Sequence, residues 1–341
     1  GVQKCALPIW LAGAWAAWPP LVDAVGWASD TYDPAAALFG LLALRSAEAA
    51  NGRLVGVFVC TLAACLSKET AAALAVALPA WVALRQGPRA AVGPGAAAIL
   101  AAVVHAGLHQ RVTGFATPPP ELAALWTWLD MTGWPLLLGI DDGFLHVGVP
   151  SGPTLSGGLG LVLLLALSVP ARTRPAAALW ALMLAPAAVG AAAIGQETWR
   201  YAYVPSALAA ASLGGLRLPR AWVLPVGAAV LTIAWAPRSW QRAEAWRDDG
   251  AIAEAELAVV PDNPLALQIV GRRRVALGDV GGFEMWEAAI ARAPGNTFLL
   301  DPQRQRLDLA TAAWQLGDAP RARRVLADFV RGEAEAGREV A

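Results

Sequence analysis

The sequence predicts an all-α chain: a polytopic helical membrane domain followed by a soluble helical-repeat domain. Three observations predict it. Of 341 residues, 57% are apolar and 15% charged, with mean hydropathy +0.49. An ordinary soluble domain is about 45–50% apolar and about 25% charged. The charges are also unevenly placed: residues 1–236 hold 22 of the 52, and residues 237–341 hold the other 30. Finally, apolar runs recur through the first part, separated by short charged loops. This excludes a wholly soluble enzyme, a disordered chain, a collagen and a disulfide-rich module. A net charge of zero gives no footing for a nucleic-acid partner.

Residues 1–9 read as a non-native leader, because Gly1-Val2-Gln3-Lys4-Cys5-Ala6-Leu7-Pro8-Ile9 looks like a translated adapter joined to part of a gene. Residues 10–236 form the expected multi-span domain. Apolar runs lie near 8–22, 34–48, 53–67, 70–86, 94–111, 157–170, 175–194, 202–216 and 221–236. Several fall short of the roughly 20 residues a spanning helix wants. Their Ala and Gly content suits close helix packing in lipid. Cys60 and Cys65 lie in one apolar run and read as small buried hydrophobes.

The loops alternate in charge. One set holds Arg45 and Arg53, Arg85 and Arg89, Arg172 and Arg174, then Arg217 and Arg220. The other holds Asp23, Asp30 and Asp33, then Lys68 and Glu69, the long 112–156 connection, and Glu197 with Arg200. The positive-inside rule puts the Arg loops in the cytoplasm. Nine spans then put the C-terminal domain in the periplasm or lumen. Within 112–156, Glu121–Leu138 carries Trp126, Trp128 and Trp134, which suits a helix at the interface.

Residues 237–341 read as a tetratricopeptide-like repeat domain. From Trp246 onward, Ala-rich helical stretches alternate with Asp-Asn-Pro, Gly-Asp and Pro-Gly-Asn breaks. Pro261 and Pro294 are 33 apart, with Leu267, Val270, Gly271, Gly278, Trp286 and Ala289 between them. That order approximates the tetratricopeptide pattern, whose period is about 34. A second unit shows Leu309, Ala313, Gly317 and Ala322; an unrelated helical bundle is the alternative. Such repeats build protein-binding surfaces rather than active sites.

Lys68 is the most informative side chain. Lys4 aside, it is the only lysine against 24 arginines. A compact ammonium grips a phosphate as a point charge, and Glu69 can orient it. The alternative is a snorkelling boundary lysine beside a helix-start glutamate. Asp23 and Asp33 are catalytic candidates, as a base or acceptor-binding pair. Asp33 before Pro34 also fits helix capping. Arg200 can clamp a phosphate, and Tyr201 and Tyr203 line either a sugar site or a headgroup belt. Asp141 and Asp142, with His146, are the metal candidates, although two Asp before Gly143 also suit a turn. His105 and His109 share a helix face, without a third ligand. The residues fix no cofactor, and whether a divalent metal takes part stays open.

A family resemblance rests on four segments. They are Trp18-Pro19-Pro20-Leu21-Val22-Asp23 running on to Asp33 and Ala37-Leu38-Phe39-Gly40; Leu66-Ser67-Lys68-Glu69-Thr70 with Leu78-Pro79; Arg200-Tyr201-Ala202-Tyr203-Val204-Pro205; and Trp246-Arg247 followed by Pro261-Asp262-Asn263. In this order they resemble the transmembrane and tetratricopeptide-repeat (TMTC-like) proteins. That family is similar to membrane glycosyltransferases of the GT-C class. The resemblance implies a polyprenyl-phosphate sugar as donor, an outward-facing site and O-glycosylation, O-mannosylation among the eukaryotic relatives. It also implies a catalytic acid in a first outer loop, expected upstream of residue 1. Trp18 stands where the family often has His, and Thr31 and Tyr32 stand where an Arg commonly precedes the Asp.

On this reading Lys68 and Arg200 hold the lipid phosphate, Asp23 or Asp33 orients acceptor or sugar, and the repeats present a protein acceptor. The rival is a non-enzymatic membrane-anchored repeat scaffold for envelope proteins. A transporter is disfavoured by few buried charges and no two-half symmetry.

Overall fold

The computed structural model describes residues 12, 14–17, 32–49, 53–113, 122–137, 152–194, 202–214, 223–293 and 301–339. Among them all regular structure is helical, as expected of an all-α chain. The chain divides into two compact units, the body of the second beginning at Ala245.

The first unit holds nine helices among the described residues: α1 (Tyr32–Glu48), α2 (Leu54–Ser67), α3 (Leu74–Gln86), α4 (Pro88–Thr113), α5 (Leu122–Leu137), α6 (Leu155–Ser168), α7 (Arg174–Ile194), α8 (Tyr203–Gly214) and α9 (Val223–Ala245). Each expected apolar run from residue 34 onward falls on one of them. The 70–86 run departs in detail. After α2, Lys68 turns extended (φ −149°, ψ 124°), and a 3-10 turn, Glu69–Ala73, reverses the chain before α3.

Two described stretches are long and apolar enough to cross a membrane: Pro88–Val112, mean hydropathy 1.7, and Arg174–Ala192, mean hydropathy 1.6. Leu54–Ser67, Leu155–Ser168 and Tyr203–Leu213 are shorter apolar helices. By this measure the described residues contain two helices long and apolar enough to span, against nine spans expected from the sequence.

The core of this unit is built from α1, α2, α3, α7 and α8. Leu74, Leu78, Leu179, Met183, Leu184 and Leu208 are fully buried there. Small residues let backbones approach. A Cβ at Gly133 of α5 would lie 1.8 Å from the Ser156 carbonyl oxygen of α6. One at Gly160 would lie 2.6 Å from the Gly133 amide nitrogen. The segment expected at the interface is thus a packed helix of this unit. Trp128 Nε1 donates to the Ala181 carbonyl of α7 at 2.7 Å, and Trp180 Nε1 to the Thr132 carbonyl at 3.1 Å.

The second unit contains α10 (Asp249–Val259), α11 (Pro264–Ala276), α12 (Gly281–Arg292), α13 (Pro302–Gln315) and α14 (Ala319–Glu339). Asn263 and Asp301 cap α11 and α13, each followed by Pro at the first helical position. The α11–α12 and α13–α14 hairpins close identically. Gly278 and Gly317 both take φ +81°, a conformation that glycine adopts without a Cβ penalty. The amide of Gly278 donates to Val275 O and that of Asp279 to Arg274 O; Gly317 donates to Trp314 O and Asp318 to Ala313 O. Both turns are Schellman caps. The hairpins expected from the Gly-Asp breaks are therefore present. Their caps recur after 38 or 39 residues, where the tetratricopeptide pattern expects about 34. Pro294 lies outside the described residues.

Candidate functional site

The first cluster forms because α1 and α2 run antiparallel. The start of α1 then meets the end of α2. Lys68 Nζ lies 3.6 Å from Asp33 Oδ2, and the two side chains are 13% and 4% exposed. The sequence points to Glu69 as the group that orients Lys68; the structure gives that place to Asp33. Adjacent side chains do not face each other on a helix, and an extended residue such as Lys68 sends its side chain away from that of its neighbour.

Tyr203, at the start of α8, feels the Asp33 charge and is itself 9% exposed. Its ring meets Trp15 edge-on at 5.2 Å, and Trp15 Nε1 donates to Ser206 Oγ at 2.8 Å. Helix α8 approaches α1 closely enough that a Cβ on Gly40 would sit 3.2 Å from Leu208 Cδ2. Asp33, Lys68 and Tyr203, three residues singled out separately in the sequence, thus belong to one end of one helix group.

The opposite end is also polar. Arg85 Nη1 pairs with Glu48 Oε1 at 3.0 Å, and its guanidinium lies 4.9 Å from the Trp81 ring centroid. Of the two loop sets that the sequence distinguishes by charge, Asp33 and Lys68 thus lie at one end of α1, α2 and α3, and Arg85 lies at the other. The chemistry of the Lys68 end is that of a protected ammonium and carboxylate beside a phenol. Such a set can bind an anion, accept a hydroxyl hydrogen bond, or simply lock two helices together.

Asp23, Arg200, Tyr201, Asp141, Asp142 and His146 lie outside the described residues. No group of three metal-ligating side chains occurs among the described ones. His105 and His109 sit with ring centroids 5.7 Å apart, His105 buried. Cys60 and Cys65 are free thiols, half-buried and buried.

A groove of about 430 Å³ in the second unit was not found from the sequence. Arg272, Val275, Trp286, Asp308, Thr311 and Gln315 line it. Arg272 lies over the Trp286 ring at 5.2 Å and reaches Asp308 at 3.8 Å, while Trp286 Nε1 donates to buried Gln305 at 2.9 Å. Side chains of α11, α12 and α13 together line it. The available signal was the pair of Pro-started helices.

At the far edge of this unit, Asp248 Oδ1 accepts from the Ala251 amide at 2.9 Å and from Arg273 Nη1 at 2.8 Å. The Ala251 amide chiefly, then the Arg273 guanidinium, hold the Asp248 carboxyl below the usual carboxylate range.

No protein-family model, curated protein or solved structure matches this chain.

Proposed function

We propose that this chain is an integral multi-pass membrane protein of glycosyltransferase type. It transfers a sugar from a polyprenyl-phosphate donor to a hydroxyl acceptor at the Asp33–Lys68 end of the first unit. The observation that carries the reading is the Lys68–Asp33 pair itself: the sole described lysine, held almost out of solvent beside a carboxylate. A purely structural ion pair is as well served by arginine, which this chain uses almost everywhere else.

The chemistry follows from charge. The acceptor oxygen forms a bond to the anomeric carbon as the bond from that carbon to the phosphate oxygen breaks. The electron pair leaves with the phosphate, and the acceptor proton passes to a carboxylate. Lys68, with Arg200, neutralises the leaving phosphate. Asp23 and Asp33 are the chain's candidates for the carboxylate. Tyr203 and Tyr201 border the sugar. The repeat unit recruits a protein acceptor, on the periplasmic or lumenal side set by the arginine loops.

The test is sugar transfer by the full chain in vesicles, with a labelled polyprenyl-phosphate sugar as donor. Lys68→Ala should lower transfer on the order of 100-fold while the protein stays folded. Full transfer by that variant removes the phosphate role.

The groove between α11 and α13 favours a second reading, a membrane-anchored scaffold that binds envelope proteins through its repeats. Donor binding separates the two, because a scaffold has no use for the lipid-linked sugar.

A further inference from the structure

The α13–α14 hairpin is stacked on one side and bare on the other. Gln305 of α13 accepts from Trp286 of α12, and Arg321 and Arg324 of α14 reach Glu287 of α12 at 3.4 and 2.8 Å. At about 100° per residue, Leu307 and Trp314 stand about 160–180° round α13 from Gln305. Leu326 and Val330 stand about 120–180° round α14 from Arg321 and Arg324. All four are exposed, Trp314 at 65%. Stacked helical hairpins bury such a face against a further hairpin or cover it with polar side chains.

The stripe on α14 also carries charge, and in a self-complementary order. Positions Arg323, Leu326, Val330 and Glu333 fall within about 80° of one another on the helix. Arg323 is exposed, and among the described residues it has no ion-pair partner, unlike Arg321 and Arg324. Position 328 is the midpoint both of Leu326 and Val330 and of Arg323 and Glu333. A second α14, run antiparallel about a two-fold axis at that point, sets Leu326 on Val330 and Arg323 against Glu333, each twice. A parallel pairing sets Arg323 on Arg323 and Glu333 on Glu333, which repel. Asp328 lies level with the axis, but about 160° round the helix from Leu326, and it pairs with Arg331 of its own helix.

We propose that this face is a dimer interface: two copies of the chain pair antiparallel through α14, with Leu307 and Trp314 of α13 beside the seam. One patch supplies both halves of such a contact, so it needs no other protein. The apolar residues hold the helices together, and the flanking charges fix their direction and register. The pairing asks nothing of the Lys68 end, so it stands or falls apart from sugar transfer.

The test is the mass of the full chain in detergent micelles, from light scattering corrected for bound detergent, over a range of protein concentrations. The unaltered chain should form a dimer. Arg323→Glu should weaken it on the order of tenfold or more, because carboxylates then meet at both ends of the seam. Glu333→Arg should do the same with guanidinium groups. Arg323→Glu combined with Glu333→Arg should restore the dimer, since the exchanged charges again meet their opposites. Leu326→Glu with Val330→Glu should leave a monomer of unchanged helix content by circular dichroism, because both side chains are exposed. A monomeric unaltered chain overturns the proposal. So does a dimer indifferent to these variants, which is held together elsewhere. A double charge reversal that stays as weak as the single ones overturns the antiparallel register.

Discussion

Lys68 Nζ lies 3.6 Å from Asp33 Oδ2, so a residue that leaves α2 is tied to the first turn of α1. Both groups are largely out of water, and that makes the pair asymmetric in its consequences. Removing one partner strands a buried charge; removing both does not. Lys68→Met should destabilise the protein by about 3 kcal/mol. Lys68→Met combined with Asp33→Asn should recover most of that loss. Thermal unfolding followed by tryptophan fluorescence measures the cycle, and additive losses would deny the coupling.

Helices α5 and α6 should tolerate no side chain at their crossing. Gly133→Leu places carbon where the Ser156 carbonyl already stands and should cost about 3 kcal/mol or prevent folding. Gly158→Ala, on the same helix pair, meets nothing within 4 Å and should be neutral or slightly stabilising. Comparing the unfolding midpoints of the two variants checks the contrast; equal effects would mean that the crossing is not where the structure places it.

The second unit should depend on its buried indole hydrogen bond. Trp286→Phe retains most of the packing but leaves the Gln305 oxygen without its donor. The expected loss is about 1–3 kcal/mol in chemical denaturation. Trp286→Phe with Gln305→Leu should lose less than the single variant.

Acid should loosen the start of α10. The Asp248 carboxyl is held below its ordinary value by the Ala251 amide first and Arg273 second. A depressed carboxyl stabilises the fold above its unfolded pKa, and that contribution fades as pH falls through the lower folded pKa. Amide exchange at Ala251, measured from neutral pH downward and corrected for intrinsic rates, should show protection lost in the acid range. Asp248→Asn keeps a cap but should abolish this pH dependence.

Much of the helical layout was legible in the sequence, because apolar runs and capping residues act locally. Asn263-Pro264 and Asp301-Pro302 start α11 and α13, and Gly278 and Gly317 end them, whereas Asp33-Pro34 falls inside the first turn of α1 and not at its cap. Pairing was less legible. The sequence offers Glu69 as the neighbour of Lys68, and nothing local says that the backbone turns extended there and hands Lys68 to Asp33. The repeat period was legible in part: the Pro261–Pro294 spacing of 33 suggests one register, while the two Gly-Asp turns stand 39 apart in the sequence, and the caps follow the latter. Trp128 reads as an interfacial aromatic, and nothing local says that its indole N–H donates to the Ala181 carbonyl. The groove beside Trp286 needed two helices in register, which no single segment encodes.

The hydrogen bond from Trp15 to Ser206 joins residues 191 apart in the chain, and the one from Trp81 to Ser212 joins residues 131 apart. At about 5–20 residues per second of synthesis, the indole of Trp15 waits on the order of ten seconds or more before its partner emerges. The helical hairpins of the second unit need no such wait, since each closes on itself within a few dozen residues. Assembly of the first unit is therefore paced by the arrival of α8 and then of α9, whose Ser239 hydroxyl donates to the Ala17 carbonyl. Until then the early helices must be held apart from one another's wrong partners by whatever surrounds them during synthesis.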